Sequence, residues 1–316
     1  MNLLSFNIRG GGSFSKRKRV SFLIQSNNID VCFVQETKLS DFNDVIAGSF
    51  WGNKEVDWTE SHSKGASGGM VILWRQGCFM VNYSFTGRGY VGINVTWKGL
   101  VYNMVNVYAS CNRLERQLLW DSLISIKARS LNEEWVVVGD FNEVLCKEER
   151  IGVDRIRDWR GMEEFKSFVE VMELIDINCV GGKFTWYKDN GKAMSRLDRF
   201  LLSNKLIEVW EVVDQRIEKR DISDHTPIRL NVGKIDWGPK PFCFNNSWLK
   251  HEDFKAFMAK EWLCLEIRGR GDFVLIEKLK KLKDRLRVWN REVFGWIDLR
   301  VEEDTEKINT IDKVLV

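Results

Sequence analysis

The sequence predicts an α/β protein: a four-layered αββα sandwich of two mixed sheets with outer helices, plus a helical C-terminal extension. Three observations predict it. Short apolar runs rich in β-branched residues alternate with amphipathic stretches up to about residue 232, the pattern of strands covered by helices. Several of these runs follow one another at hairpin spacing, so part of the sheet structure is antiparallel. Near residue 234 the texture changes, and apolar residues begin to recur at three- and four-residue steps.

The 316 residues suffice for one large domain and an appendage. A composition of 44% hydrophobic and 29% charged residues is that of an ordinary globular protein. No apolar run reaches membrane-spanning length, and the N-terminus lacks the basic region of a secretory signal. The expectation is therefore a nuclear or cytoplasmic protein, not secreted and not membrane-bound, acting as a monomer. Seven scattered cysteines without a C-x-x-C pair point to reduced, mostly packed thiols. The net charge of +3 is only a faint pointer to a polyanionic partner.

Residues 3–6 form the first expected strand, ending at Asn7, and Arg9-Gly10-Gly11-Gly12 is too glycine-rich for a helix. Lys16-Arg17-Lys18-Arg19 open a helix with inner face Val20, Leu23 and Ile24. That tetrad reads as a solvated turn, with a nuclear-localisation signal or a phosphate contact as alternatives. A strand over 31–35 delivers Glu36. A small-residue turn, Gly65-Ala66-Ser67-Gly68-Gly69, feeds another strand, and strands over 79–85, 90–97 and 101–107 follow, the last ending at Tyr108. A helix over 113–129 with apolar Leu118, Leu119, Leu123 and Ile126 leads to Trp135-Val136-Val137-Val138-Gly139-Asp140-Phe141-Asn142. There a buried strand runs into Asp140 and Asn142, with Gly139 expected to allow a sharp turn; a strand ending in an Asx turn fits the same residues. A helix carrying Met162, Phe165, Phe168, Val169 and Met172 comes next, then three motifs at strand edges around Thr185, Asp198 and Asp224-His225.

Gly238-Pro239-Lys240-Pro241 reads as a linker. Beyond it Ile276, Leu279, Leu282, Leu286, Trp289, Val293 and Trp296 mark a long basic amphipathic helix, suited first to packing and second to nucleic-acid or partner contact. The expected domains are a catalytic domain over 1–233 and a linker with basic helical segment over 234–316. The chain reads as part of something longer.

Asn7, Glu36, Tyr108, Asp140, Asn142, Asp198, Asp224 and His225 all fall at expected strand edges. Hard oxygen donors with one imidazole suit Mg²⁺ or Mn²⁺, whereas zinc would ask for more histidine or cysteine. With only His62, His225 and His251 in the chain, a multi-histidine site is excluded. Asp198 can hold the ring of His225 while that ring takes or gives a proton, and with a cation on phosphate oxygens this is machinery for phosphodiester hydrolysis. Singly, each residue has a plainer use: Asp224-His225 as a turn, Glu36 as a helix-start charge, Tyr108 as a half-buried strand residue.

Ser5-Phe6-Asn7, Gln35-Glu36-Thr37, Asn106-Val107-Tyr108, Gly139-Asp140-Phe141-Asn142, Phe184-Thr185-Trp186, Arg196-Leu197-Asp198-Arg199 and Ser223-Asp224-His225 together resemble the ordered signature of the endonuclease/exonuclease/phosphatase family over residues 1–232. Within it, Gly65 to Gly69, Phe200-Leu201-Leu202-Ser203 and the stretch from Lys240 to Lys250 are most similar to the endonuclease region of plant LINE-type (non-LTR) retrotransposon polyproteins. No Tyr-x-Asp-Asp polymerase motif occurs in the chain. The resemblance implies Glu36 as principal metal ligand with Asn7 and Asp224, and Asp140 on the attacking water. It implies Asn142 and Tyr108 on the phosphate, and Asp198 with His225 as the carboxylate–imidazole pair. Arg9, Thr185 and Ser223 are the implied substrate-side contacts, the last two supporting the site by hydrogen bonds. Arg9 stands where abasic-site endonucleases of the family usually carry a metal-binding aspartate, which weakens a dedicated repair role. The implied activity is a Mg²⁺-dependent nick in double-stranded DNA, with Mn²⁺ as substitute. It leaves a 3′-hydroxyl for a reverse transcriptase domain or protein to extend. A phosphatase or other phosphodiesterase of the family, and an inactive remnant that only binds nucleic acid, are the alternatives.

Overall fold

The computed structural model describes residues 1–64, 67–130, 133–152, 159–232, 244, 248–249 and 251–293. The N-terminal part runs β1 (Leu3–Asn7), α1 (Phe14–Ser26), β2 (Val31–Gln35), α2 (Asp44–Trp51), β3 (Val56–Lys64) and β4 (Ser67–Arg75). A meander of β5 (Met80–Gly87), β6 (Tyr90–Trp97) and β7 (Leu100–Tyr108) is followed by α3 (Arg113–Lys127), β8 (Glu134–Asp140), β9 (Arg150–Ile151) and α4 (Arg160–Val171). Then come β10 (Leu174–Asp176), β11 (Cys179–Val180), β12 (Trp186–Tyr187), β13 (Met194–Ser195), β14 (Asp198–Ser203), α5 (Asn204–Val209), β15 (Val212–Ile217) and β16 (Ile228–Val232), and finally α6 (Phe254–Cys264) and α7 (Gly271–Val293).

The strands form a seven-stranded sheet in the order β11-β15-β16-β1-β2-β4-β3, a six-stranded sheet in the order β10-β14-β8-β7-β6-β5, and a small sheet of β12, β13 and β9. Period-2 alternation sorts their side chains into layers. On β1, Leu3 faces the other sheet and Leu4 and Phe6 face α1 and α2; on β8, Val136 and Val138 face between the sheets and Trp135 and Val137 face α3 and α4. Three apolar layers thus separate helix, sheet, sheet and helix, the expected αββα sandwich. Strands buried on both faces explain the continuous apolar runs.

The strand ends converge because parallel neighbours share an end. β1 and β2 run parallel with Asn7 opposite Gln35, and β7 and β8 run parallel with Tyr108 opposite Asp140. β14 is antiparallel to β8 and β16 to β1, so their first residues come to the same edge, Asp198 opposite Asp140. Across the sheets, the Gln35 Nε2 donates to Asn106 Oδ1 at 2.6 Å, and Asn106 Nδ2 donates to the carbonyls of Val34 and Val71 at 3.0 and 2.9 Å.

Several expectations are corrected. β3 was not foreseen because its alternation is polar; β4 joins the first sheet, paired with β2 and β3, not the meander. On α3, Leu118 is 60% exposed and Trp120 takes the inner position with Leu119 and Leu123. Among the described cysteines only Cys32 is fully buried, its thiol pushed up by burial, while Cys111 and Cys264 are exposed. The basic tetrad is not a free solvated turn: Lys16 Nζ donates to the carbonyls of Ile8 and Arg9, Arg17 to those of Gly11 and Gly12, and Arg19 pairs with Asp221. Gly139 does not turn the chain. It lies within β8 at φ +138°, where a Cβ would stand 2.0 Å from the Val107 carbonyl oxygen.

Met1–Ile235 form one compact unit and Asp236–Val316 a second. In the second, α6 and α7 pack around Trp248, Phe254, Leu282, Leu286 and Trp289. Ile276 and Leu279, expected on the inner face, are half exposed, and Trp296 and the Gly238 to Pro241 linker lie outside the described residues. No described helix is long and apolar enough to cross a membrane.

Gly139→Ala should lower stability by at least about 2 kcal/mol, since backbone strain and a backbone collision combine there. Urea unfolding measures it; a loss below about 0.5 kcal/mol would show that β7 and β8 can part without cost.

Candidate active site

At the shared edge, Glu36, Tyr108, Asp140, Asn142, Asp224 and His225 line an open cleft of about 380 Å³ together with Arg9, Lys38, Cys111, Trp186, Lys188 and Asp189. Arg9, Glu36 and Asn142 adopt positive φ of 48°, 50° and 48°. Left-handed backbone at non-glycine residues costs free energy and persists only where surrounding bonds impose it. Here Gly10 N–H donates to the Glu36 carbonyl at 2.7 Å, and Asn142 Nδ2 donates to the Ala109 carbonyl at 2.8 Å.

One wall is a line of three groups. His225 Nδ1 lies 2.9 Å from Asp198 Oδ2, and His225 Nε2 lies 3.6 Å from Asp140 Oδ2. Burial alone would lower the imidazole pKa, but the Asp198 and Asp140 carboxylates outweigh it and push it up to about 10. Burial raises Asp140 to about 7, against the pull of His225. The ligand atoms of these three residues lie within 4.8 Å of one another, a spacing a cation could also span. The two carboxylates on either side of the imidazole favour its charged form, so the cluster reads as an ion-pair ladder.

Glu36 and Asp224 are the other wall-lining carboxylates of the site. Glu36 Oε1 accepts from Tyr108 Oη at 2.8 Å and from Asn7 Nδ2 at 3.2 Å, and Oε2 lies 3.2 Å from Lys38 Nζ. Burial opposes ionisation of Glu36, yet these donors hold it below the usual carboxylate range, while burial and the Glu36 charge raise Tyr108. Asp224 Oδ2 accepts from Arg9 at 2.5 Å and from Trp186 Nε1 at 3.0 Å. Glu36 and Asp224 offer the hard oxygens a small divalent cation prefers, with room for water and phosphate oxygens.

Asn7 and Thr185 stand elsewhere than expected. Asn7 is fully buried and presents its N–H₂ to Glu36 and, at 2.9 Å, to Asp140, while its Oδ1 accepts from the Arg9 N–H. It bridges the two carboxylates as a donor. Thr185 is also fully buried, so it faces no substrate; its Oγ1 accepts from the N–H groups of Leu197 and Asp198 at 2.9 and 3.0 Å, and its carbonyl accepts from Thr226. Ser223 donates to the Asn7 carbonyl at 2.8 Å and accepts from the His225 N–H, tying β1 to the segment before β16.

Sequence reasoning missed Lys38 and Trp186, though each sits inside or beside a quoted motif. It also missed the charges behind the site. Arg199, fully buried, pairs with Glu149 and Asp176, and Arg196 joins both. Arg116 pairs with Glu143 at 2.7 Å and donates to the Ser110 and Cys111 carbonyls, bracing the loop beside Asn142.

With its pKa raised, His225 contributes stability that is fully present below about pH 6.5 and lost as pH rises through about 10. NMR of the three histidines should show one ring still charged at pH 8, and Asp198→Asn should bring its titration down; three rings neutral at pH 8 would break the ladder assignment.

The sequence profile of the Endonuclease/Exonuclease/phosphatase family matches residues 4–225. The chain is 24% identical over 278 residues to the transposon TX1 uncharacterized 149 kDa protein of Xenopus laevis, covering 83% of this chain but 20% of that protein. It thus spans about a fifth of the length of this curated relative. Among solved structures, the AP endonuclease LMAP from Leishmania major superposes with a TM-score of 0.60 at 15% identity, covering 72% of this chain and 86% of that one. The 3′ phosphatase NExo from Neisseria, bound to product DNA hairpin, gives 0.59 at 17%, covering 74% and 100%. The endonuclease domain of TRAS1, a telomere-specific non-LTR retrotransposon, gives 0.56 at 13%, covering 73% and 97%. With the profile matched from β1 to His225, this chain belongs to the Endonuclease/Exonuclease/phosphatase family.

Proposed function

We propose that the chain is a Mg²⁺-dependent endonuclease that nicks double-stranded DNA and leaves a 3′-hydroxyl, the end a reverse transcriptase extends at a target site. The observation that carries this is that the Asp198–His225–Asp140 ladder meets Glu36 and Asp224 in the lining of one open cleft. The transposon relative and the retrotransposon endonuclease neighbour support a transposon setting; we read the chain as the endonuclease region of a plant LINE-type polyprotein on the segments Gly65 to Gly69, Phe200 to Ser203 and Lys240 to Lys250. Catalysis belongs to residues 1–233, acting as a monomer in nucleus or cytoplasm beside a reverse transcriptase domain or protein.

Glu36 and Asp224 would hold the cation; bound there, Mg²⁺ or Mn²⁺ supplies charge neutralisation at the phosphate oxygens. Asn7 sets Glu36 against Asp140 and does not itself ligate in this arrangement. Asp140, with a pKa near 7, is placed to orient the attacking water and take its proton. His225 lines the cleft with Nδ1 on Asp198 and Nε2 beside Asp140, and because both carboxylates favour its charged form its role here is to stabilise charge on the phosphate. Asn142 and Tyr108 position the phosphate, and Arg9 meets its charge from the rim; Thr185 and Ser223 hold the backbone beneath.

A second reading, removal of a 3′-phosphate, is favoured by the likeness to the Neisseria enzyme, which is described as a 3′ phosphatase. The two separate on supercoiled plasmid against a 3′-phosphorylated oligonucleotide. The expected result is open-circular plasmid with Mg²⁺ and none with EDTA. Equal nicking in EDTA would remove the metal mechanism, and phosphate release without nicking would replace the endonuclease by the phosphatase.

Variants separate the roles. Asp140→Asn and His225→Ala should slow nicking by about 10² or more with DNA binding retained. Glu36→Gln should be partly restored by excess Mg²⁺ or Mn²⁺, because its defect lies in holding the cation. Unchanged metal dependence in Glu36→Gln, or wild-type nicking by His225→Ala, would refute the assignment of roles.

A further inference from the structure

Glu36 and Asp224 are each held in two ways. Neutral donors fix them: Tyr108 and Asn7 on Glu36 Oε1, Trp186 on Asp224 Oδ2. Each also carries one long cationic side chain, Lys38 on Glu36 Oε2 at 3.2 Å and Arg9 on Asp224 Oδ2 at 2.5 Å. The carboxylates are sheltered, with 14% and 10% of their side chains exposed, but Lys38 and Arg9 are 35% and 52% exposed. Removing either cation therefore leaves its carboxylate in place.

The backbones beneath these cations are fixed. Gly10 and Gly11 N–H groups donate to the Glu36 and Thr37 carbonyls at 2.7 and 2.6 Å, and Lys38 N–H donates to the Gly68 carbonyl at 3.1 Å. Only the flexible side chains can move. The cationic partner in each pair is long and reaches solvent, so it can leave for water while a divalent cation takes its carboxylate.

We propose that Arg9 and Lys38 are displaceable counterions. They neutralise Asp224 and Glu36 while the cleft is empty, yield these carboxylates to a divalent cation, and turn to the DNA phosphate. The inference rests on the divalent-cation assignment above. Its charge count is simple: two carboxylates and two basic side chains are balanced, a divalent cation leaves an excess of two positive charges, and a phosphodiester offsets one of them. Cation and DNA should then bind with positive coupling, each strengthening the other by the same factor.

The test uses Mn²⁺ and a phosphorothioate-blocked duplex that cannot be cut. Free Mn²⁺ is measured by electron paramagnetic resonance with the full chain, with Arg9→Met and with Lys38→Met. Arg88→Met, which removes a cation paired with Glu115 outside the cleft, gives the background effect of net charge. Each cleft variant should bind Mn²⁺ roughly fivefold tighter than wild type. Each should also bind the duplex more weakly in Mn²⁺ and show less tightening of DNA by the cation. Mn²⁺ affinity no tighter than in Arg88→Met, or undiminished coupling, would overturn the counterion role while leaving a Mn²⁺-dependent wild-type nickase intact. A wild type that binds no Mn²⁺ would instead remove the cation assignment and this inference with it.

Discussion

The edge that carries the candidate site depends on one amide pair buried between the sheets. Gln35 and Asn106 are fully buried, and their bond joins β2 to β7 while Asn106 also reaches the backbones of β2 and β4. Glu36 follows Gln35 directly and Tyr108 lies two residues beyond Asn106, on the edge of the other sheet. Apolar packing alone would let two sheets slide by small amounts, because it is not directional. An amide network in a dry core is directional, and leaving one partner unmet costs about 1–3 kcal/mol. The meeting of Tyr108 with Glu36 across the sheets follows from that fixed register.

Charge pairs behind the loops that line the cleft extend this rigidity. Glu149 and Asp176 hold the guanidinium of Arg199 directly after Asp198, and Glu143, directly after Asn142, is held by Arg116 and, at 3.4 Å, by Arg150. Gly161 at the start of α4 is there for the second pair: a Cβ would stand 2.5 Å from Glu143 Oε2 and 2.9 Å from the Arg116 guanidinium. Such pairs add little net stability, since desolvation offsets their attraction. Their directional bonds instead fix where two loops sit.

Much of the fold was legible because buried strands announce themselves by apolar runs and end where polar residues begin, as at Asn7, Glu36 and Asp140. The Asp198–His225 pairing was readable from residue chemistry. What stayed hidden depended on direction in space. Trp120 and Leu118 are both apolar on one helix, and only packing against Phe141, Phe165 and Phe168 decides which is inside. Asn7 lies buried beside Glu36 and Asp140, and which end of its amide points inward is set by the two carboxylates it meets. Gly139 was noticed for its freedom, whereas its need is the nearness of the Val107 carbonyl.

The left-handed backbone at Arg9, Glu36, Lys38 and Asn142 sets how these positions can drift. Valine, isoleucine or threonine would be penalised there by shape, apart from any loss of chemistry, whereas glycine, asparagine and aspartate fit such angles. Glycine would even relieve strain and make the fold more robust while removing the charged group. At this edge the substitutions the backbone tolerates best are those that remove its polar groups, so the cleft can lose its chemistry while the fold keeps its shape.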